Sequence, residues 1–379
     1  GLAWNVENMY FNTFLNDCVY DAGAFGSKMV LTDAVNIMVT LSAITAVVTT
    51  FIMGTLSEKM KTRKAFISFG YIAWGIVTAL FGLITKDNIA AIFGLSDNAK
   101  IVTATAWVVI IMDMIMTFMG STSNDSAFNA WVTDITTPET TSKVETAFTF
   151  IGFIAMGAIM AVGSLAQGGV MSYSTFFIGL GAFVTLSGVV ALFLVENPKK
   201  LEDAKMEKNA PKTSYWADLF YGFRPSVVKE NSNLYLILAS GCTFNSAFQV
   251  FFPYLFIYLG SVVIPANEGV NFLSAKIIIP AVLAIAAAVA GIVILMKVYA
   301  KNKAAAFIPS VLLLVIGLLI LSSTKNILGI IIGVAPVLIG YIVIMIQFGA
   351  TVRDNIPQDK VGLFQGIRMI FLVMIPMIV

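Results

Sequence analysis

Mostly apolar stretches of about 20 residues recur along the whole chain, and that is the length an α-helix needs to cross the hydrocarbon of a bilayer. Eleven can be counted, near residues 2 to 25, 31 to 54, 65 to 85, 100 to 125, 144 to 166, 172 to 195, 232 to 259, 272 to 297, 304 to 323, 327 to 350 and 363 to 379. In lipid every backbone N–H and C=O must find its partner within the protein, so such a chain folds as a bundle of helices. The expected fold class is all-α, a polytopic membrane protein. A composition of 58% hydrophobic and 12% charged residues, with a mean hydropathy of +0.90, excludes a soluble domain of this length.

One break between spans differs from the rest. Residues 196 to 231 hold seven Lys/Arg and six Asp/Glu, which marks them as a linker between two halves. Within it Tyr215, Trp216, Leu219, Phe220 and Phe223 recur at helical spacing, as in an amphipathic helix lying on a membrane surface. The expected organisation is residues 1 to 195 as a six-helix bundle, 196 to 231 as the linker, and 232 to 379 as a second bundle with five of its six helices. The apolar run reaching Val379 implies a twelfth span beyond the sequence given. Alternate loops, those following spans 2, 4, 6, 8 and 10, carry 18 of the basic residues against five on the other side. That bias places the linker and the natural termini in the cytoplasm of a cell (inner) membrane protein. The protein is expected to be a monomer.

Histidine is absent, so any proton relay inside the spans must use carboxylates. Cys18 and Cys242 lie in apolar stretches with no spacing that suggests a disulfide framework or a zinc site. A net charge of +2 gives no field for a nucleic-acid partner. No phosphate-binding loop, metal-ligand cluster or nucleophile–base pair points to an enzyme, and no cofactor or metal is expected. A two-half plan with a cytoplasmic linker is the arrangement of transporters whose halves rock about a midplane site.

A charged carboxylate near the middle of a span costs about 2.5 to 3.5 kcal/mol on insertion scales, so each needs a partner or a wet cavity. Glu7, Asp17, Asp21, Asp33, Asp113 and Asp125 all lie in the first half, and from Asn231 to Ala350 the sole acid is Glu268. A cation, if one binds, is bound by the first half. Asn5, Asn8, Asn12 and Asn16 fall in one narrow sector of span 1 at 100° per residue, facing either a cavity or a neighbouring helix. Span 4 carries Asp113, Thr117, Ser121 and Asn124 on a second stripe, then Asp125, Asn129 and Trp131. Asp125 sits in the dense cluster Ser121-Thr122-Ser123-Asn124-Asp125-Ser126, whose oxygens suit a hard cation or cap nearby backbone. Asp113 is a second cation-coupling candidate, or the partner of another helix. In span 7, Asn245 and Gln249 stand one turn apart and are expected to line the same cavity. Tyr10, Phe14, Phe128, Trp131, Phe244 and Phe248 have faces able to stack on a sugar ring, though plain packing accounts for aromatics equally.

The loop between spans 2 and 3 reads Gly54-Thr55-Leu56-Ser57-Glu58-Lys59-Met60-Lys61-Thr62-Arg63-Lys64. It resembles the loop signature of the major facilitator superfamily, with Lys61 where that signature has a second glycine. The resemblance implies a gating loop, Gly54, Glu58, Lys59, Arg63 and Lys64, that latches by charge pairing. The exit of span 4, Asn124-Asp125-Ser126-Ala127-Phe128-Asn129-Ala130-Trp131-Val132-Thr133-Asp134, resembles the glycoside-pentoside-hexuronide:cation symporters. Arg353-Asp354-Asn355-Ile356-Pro357 and Gly362-Leu363-Phe364-Gln365-Gly366-Ile367-Arg368 extend the likeness. It implies that Asp125 binds cation or sugar. Sodium-coupled members of that branch carry two aspartates on span 2, where this chain has Ala46 and Thr50, and a tryptophan where this chain has Asn129.

These readings together predict a secondary transporter moving a sugar, glycoside or similar small polar solute by alternating access, with proton or sodium as the coupling ion. Asp125 and Asp113 would serve coupling, and Asn8, Asn12, Asn16, Asn124, Asn129, Trp131, Asn245 and Gln249 the solute. A facilitator or exporter of another amphiphilic solute is the alternative within transport, and a membrane sensor or scaffold the alternative outside it.

Overall fold

The computed structural model describes residues 2–20, 27, 29–167, 169–206, 220–258, 262–270 and 274–378. Among them every regular element is helical. Eight helices are long and apolar enough to cross a membrane: Leu31–Lys59, Lys64–Leu83, Asn98–Ile135, Thr141–Ala166, Tyr173–Leu194, Ala275–Val298, Lys303–Ser323 and Ile327–Asn355. Three further runs stand at expected spans. Leu2–Phe14 is prolonged by a wider π turn over Leu15–Val19. Ser232–Tyr258 opens the second half. Val361–Met369 continues through Ile370–Met374 into Ile375–Ile378. Of the expected amphipathic linker segment, Tyr215, Trp216 and Leu219 lie outside the described residues.

The connection expected between spans 3 and 4 contains a short helix, Lys86–Phe93. Thr85 starts it by accepting from the Asn88 N–H, and Gly94 ends it at φ +62°. Outward faces of the long helices are apolar, with Phe193 80% and Ile154 72% exposed, as expected of surfaces whose solvent is lipid.

The chain divides into two compact units. The first comprises Gly1–Ile135, Ile151–Glu230 and Ile356–Met374; the second comprises Thr136–Phe150, Asn231–Asn355 and Ile375–Val379.

In the first unit Phe11 stacks on Phe81 at 4.3 Å and meets Phe177 edge-on at 5.6 Å, while Trp4 leans on Trp74. Lipid tails are as apolar as these side chains, so burial alone cannot hold helices together, and close backbone approach does much of the holding. The helices Lys64–Leu80 and Tyr173–Leu194 pack through Gly75, Gly181 and Gly188. A Cβ on Gly181 would collide with the backbone of Ala79 and Gly75. Lys61 closes the turn into Lys64–Leu80 at φ +52°.

In the second unit Ile292, Ala306, Ile342, Val343 and Ile346 form a core. Phe307–Ser323 and Ile327–Asn355 approach through Gly317, Gly333 and Gly340. Phe248 stacks on Tyr341 at 4.7 Å.

Gly181→Val should lower stability by about 1–3 kcal/mol through overpacking. Gly179→Val, on the same helix with open space around its Cα, should leave it nearly unchanged. Thermal unfolding of the two variants in one detergent checks the contrast.

Candidate functional site

Two intramembrane carboxylates of the first unit meet across three helices. Glu7 stands on Leu2–Phe14, Ser42 on Leu31–Lys59, and Asp113 and Thr117 one turn apart on Asn98–Gly120. The Ser42 hydroxyl lies 2.7 Å from Asp113 Oδ2, 2.6 Å from Thr117 Oγ1 and 3.3 Å from Glu7 Oε1. Thr117 Oγ1 lies 3.1 Å from the same Glu7 oxygen. Asp113 and Thr117 are each 1% exposed. Glu7 Oε2 and Asp113 Oδ1 are buried with no hydrogen-bond partner. Among the described residues no lysine or arginine pairs with either acid.

Asp125 occupies a segment, Ser121–Phe128, wound as a π-helix, a form that recurs at functional sites. Its carboxylate accepts from the Ser121 hydroxyl and from the Asn124 amide, each at 2.9 Å. Asn124 in turn accepts from the Tyr71 hydroxyl at 2.8 Å. The positive charge of Arg368, on Val361–Met369, acts on Asp125. Thr50, at one of the expected aspartate positions, is fully buried with an unpartnered hydroxyl, and Ala46 is buried too.

The remaining expected residues scatter. Asn12 keeps a buried, unpartnered Oδ1, whereas Asn16 is exposed and donates to Asp17. The π turn after Phe14 adds a residue to the winding, so a stripe drawn at 100° per residue loses register there. Asn129 donates to the Asn124 carbonyl, and the Trp131 indole donates to the Glu196 carbonyl while its ring stacks on Phe128. Asn245 donates to the Gly241 carbonyl of its own helix. The side chains of Asn8 and Gln249 lie outside the described residues. Tyr10 packs against Phe176 and Phe14 against Tyr173 and Phe177, so these aromatics fill space.

The loop after Leu31–Lys59 builds a charged knot within the first unit. Arg63, fully buried, pairs with Glu58 at 2.5 Å and Asp134 at 3.0 Å, and Lys200 reaches Asp134 at 2.6 Å. Burial opposes the charge on the guanidinium, but the two carboxylates outweigh it and hold Arg63 more firmly protonated than in water. Gly54 touches Gly362 backbone to backbone, and Glu58 accepts from the Gly362 N–H at 2.9 Å. Asn197 accepts from the N–H groups of Arg63 and Lys64, capping the next helix. Lys59 projects into solvent at the end of its helix. In the second unit buried Arg353 pairs with Glu145, and Lys303 pairs with Asp354 at 2.5 Å.

Sequence reasoning named Glu7 only as an acid inside a span, and it passed over Ser42 and Asn197 entirely. A lone serine in an apolar helix carries no signal until the helices opposite it are known.

The profile of the Major Facilitator Superfamily matches residues 10–379. No curated protein matches the chain. Thirty solved chains match by structure. One is the MFS proton:xylose symporter XylE bound to 6-bromo-6-deoxy-D-glucose, with a TM-score of 0.64 and 11% identity over 99% of this chain and 84% of that one. At that identity the likeness speaks for the fold.

Arg63→Ala leaves Glu58 and Asp134 facing each other without their shared cation and should cost about 3–5 kcal/mol. Lys61→Gly should stay within about 1 kcal/mol of wild type, whereas Lys61→Val, β-branched at a positive φ, should lose about 1–2 kcal/mol. Melting temperatures of the three variants in one detergent check both expectations.

Proposed function

The chain belongs to the Major Facilitator Superfamily and is a multi-pass membrane transporter, not an enzyme; from that premise we propose that it carries a sugar or similar small polar solute by alternating access, in symport with a cation. The observation that carries the coupling is the placement of acids inside the spans of the first unit. Glu7 and Asp113 lie buried against hydroxyls, and among the described residues no basic side chain pairs with either. Two uncompensated charges in a low-dielectric interior are too costly to persist, so such a pair calls for a mobile positive charge, and a mobile positive charge is what a symporter moves.

Asp125 is the second coupling residue, with Asp113, and its two neutral donors leave room for a change of charge when solute or ion arrives. Asn12, Asn124 and Asn129 are the solute-binding candidates, Asn124 in contact with Asp125 and Asn129 with Asn124. The structural neighbour is a proton:xylose symporter holding a sugar analogue, which supports a sugar-class solute and a proton as the ion. The basic bias of alternate loops supports a cytoplasmic linker.

The test is uptake into proteoliposomes under an imposed pH or sodium gradient, over a panel of sugars and glycosides. Wild type should accumulate at least one of them. Asp125→Asn should lose accumulation yet retain solute counterflow, because the amide keeps the shape without the charge. Accumulation by Asp125→Asn at the wild-type level removes Asp125 from coupling, and wild-type protein indifferent to every gradient makes the chain a facilitator.

A further inference from the structure

The cluster joining Glu7, Thr117, Ser42 and Asp113 holds four oxygen-to-oxygen contacts of 2.6, 2.7, 3.1 and 3.3 Å. Its hydroxyls supply two hydrogens. With both acids ionised, two hydrogens fill only two of the four contacts: Thr117 donating to Ser42 and Ser42 to Asp113 fill the two shortest and leave the Glu7 oxygen with no hydrogen facing it. One added proton supplies it. Glu7 then donates to Thr117, Thr117 to Ser42, and Ser42 to Asp113, so the three shortest contacts are filled. The one left empty is the longest, Ser42 to Glu7. A second added proton, on Asp113, would make Ser42 accept twice and turn the Ser42 hydrogen onto that longest contact, 3.3 Å, past the usual reach of an O–H donor.

We propose that Glu7 and Asp113 hold a single proton between them, relayed through the hydroxyls of Thr117 and Ser42, at a site separate from Asp125. The relay runs in either direction without loss or gain of atoms. The Glu7 O–H bond breaks as a proton joins Thr117; Thr117 passes its own proton to Ser42, and Ser42 passes its own to Asp113. The acid becomes Asp113 and the carboxylate becomes Glu7. Asp113 Oδ1, on a side chain 1% exposed, and Glu7 Oε2 have no partners and are the two open ends of the chain.

Distances favour a proton over a metal cation as the occupant. Contacts of 2.6 and 2.7 Å are hydrogen-bond lengths for O–H donors. The other titratable groups on the packed helices stand off the relay. Asp125 lies twelve residues beyond Asp113 and is engaged with Ser121 and Asn124, Tyr71 donates to Asn124, and Asp33 and Glu58 lie near the two ends of the Ser42 helix. The use of this proton in transport rests on the reading above, but its presence does not.

Infrared spectroscopy of the purified full chain tests the site without any solute. Wild type should show a carboxylic-acid C=O band that shifts in D2O. Glu7→Gln and Asp113→Asn should each lose that band. In each variant the amide N–H replaces the missing proton as first donor of the chain, leaving the surviving acid ionised, and for the same reason each should fold. A band kept in both variants belongs to another acid and overturns the proposal, as does a wild type with no such band. Disappearance of the wild-type band on adding sodium would also overturn it, by making the occupant a metal cation. A protein that keeps the expected band but transports no sugar refutes the transport reading and leaves the shared proton in place.

Discussion

Charge inside a bilayer has no water to fall back on, and the placement of every ionised group in this protein follows from that. Two solutions occur side by side. At Arg63 the positive charge is boxed in by Glu58 and Asp134, and at Arg353 it meets Glu145. With Lys200 on Asp134 the first set balances two against two, and the second balances one against one, so both hold shape. At Glu7 and Asp113 two acids meet hydroxyls, and among the described residues no basic side chain pairs with either. Balanced groups fix the loops.

Balance also requires proximity, which glycine provides. The hydrophobic effect gives helices in lipid little reason to associate, so they gain by bringing backbones close. Gly54 against Gly362 is the plainest case: with no side chain on either, the chains touch, and the carboxylate of Glu58 comes within reach of the Gly362 N–H. Lys61 turns the loop between them. It adopts a positive φ that glycine adopts freely, and it stands where the loop signature has glycine.

The spans were legible in the sequence because they follow from one local rule, the length of apolar chain that crosses a bilayer. The candidate site was legible only in part. Asp113 and Asp125 announced themselves as acids in apolar surroundings. Asn16 stands exposed beside Asp17, past the point where the helix widens after Phe14, and a projection at fixed pitch has no way to register that widening. Ser42 and Asn197 matter through partners 71 and 134 residues away in sequence, and such pairings exist only once the helices are assembled.

The helix Leu31–Lys59 carries no acid between Asp33 and Glu58, and its Ser42 and Thr50 stand eight residues and about 12 Å apart along it. Ser42 meets Thr117 of the packed helix hydroxyl to hydroxyl, with Asp113 on one side and Glu7, from a third helix, on the other, whereas the Thr50 hydroxyl is buried without a partner. A hydroxyl both donates and accepts, so it passes a proton along where a carboxylate would simply add charge. With hydroxyls and no acid along the inner turns of that helix, it adds no charge for a metal ion, and the groups that remain are suited to carrying a proton.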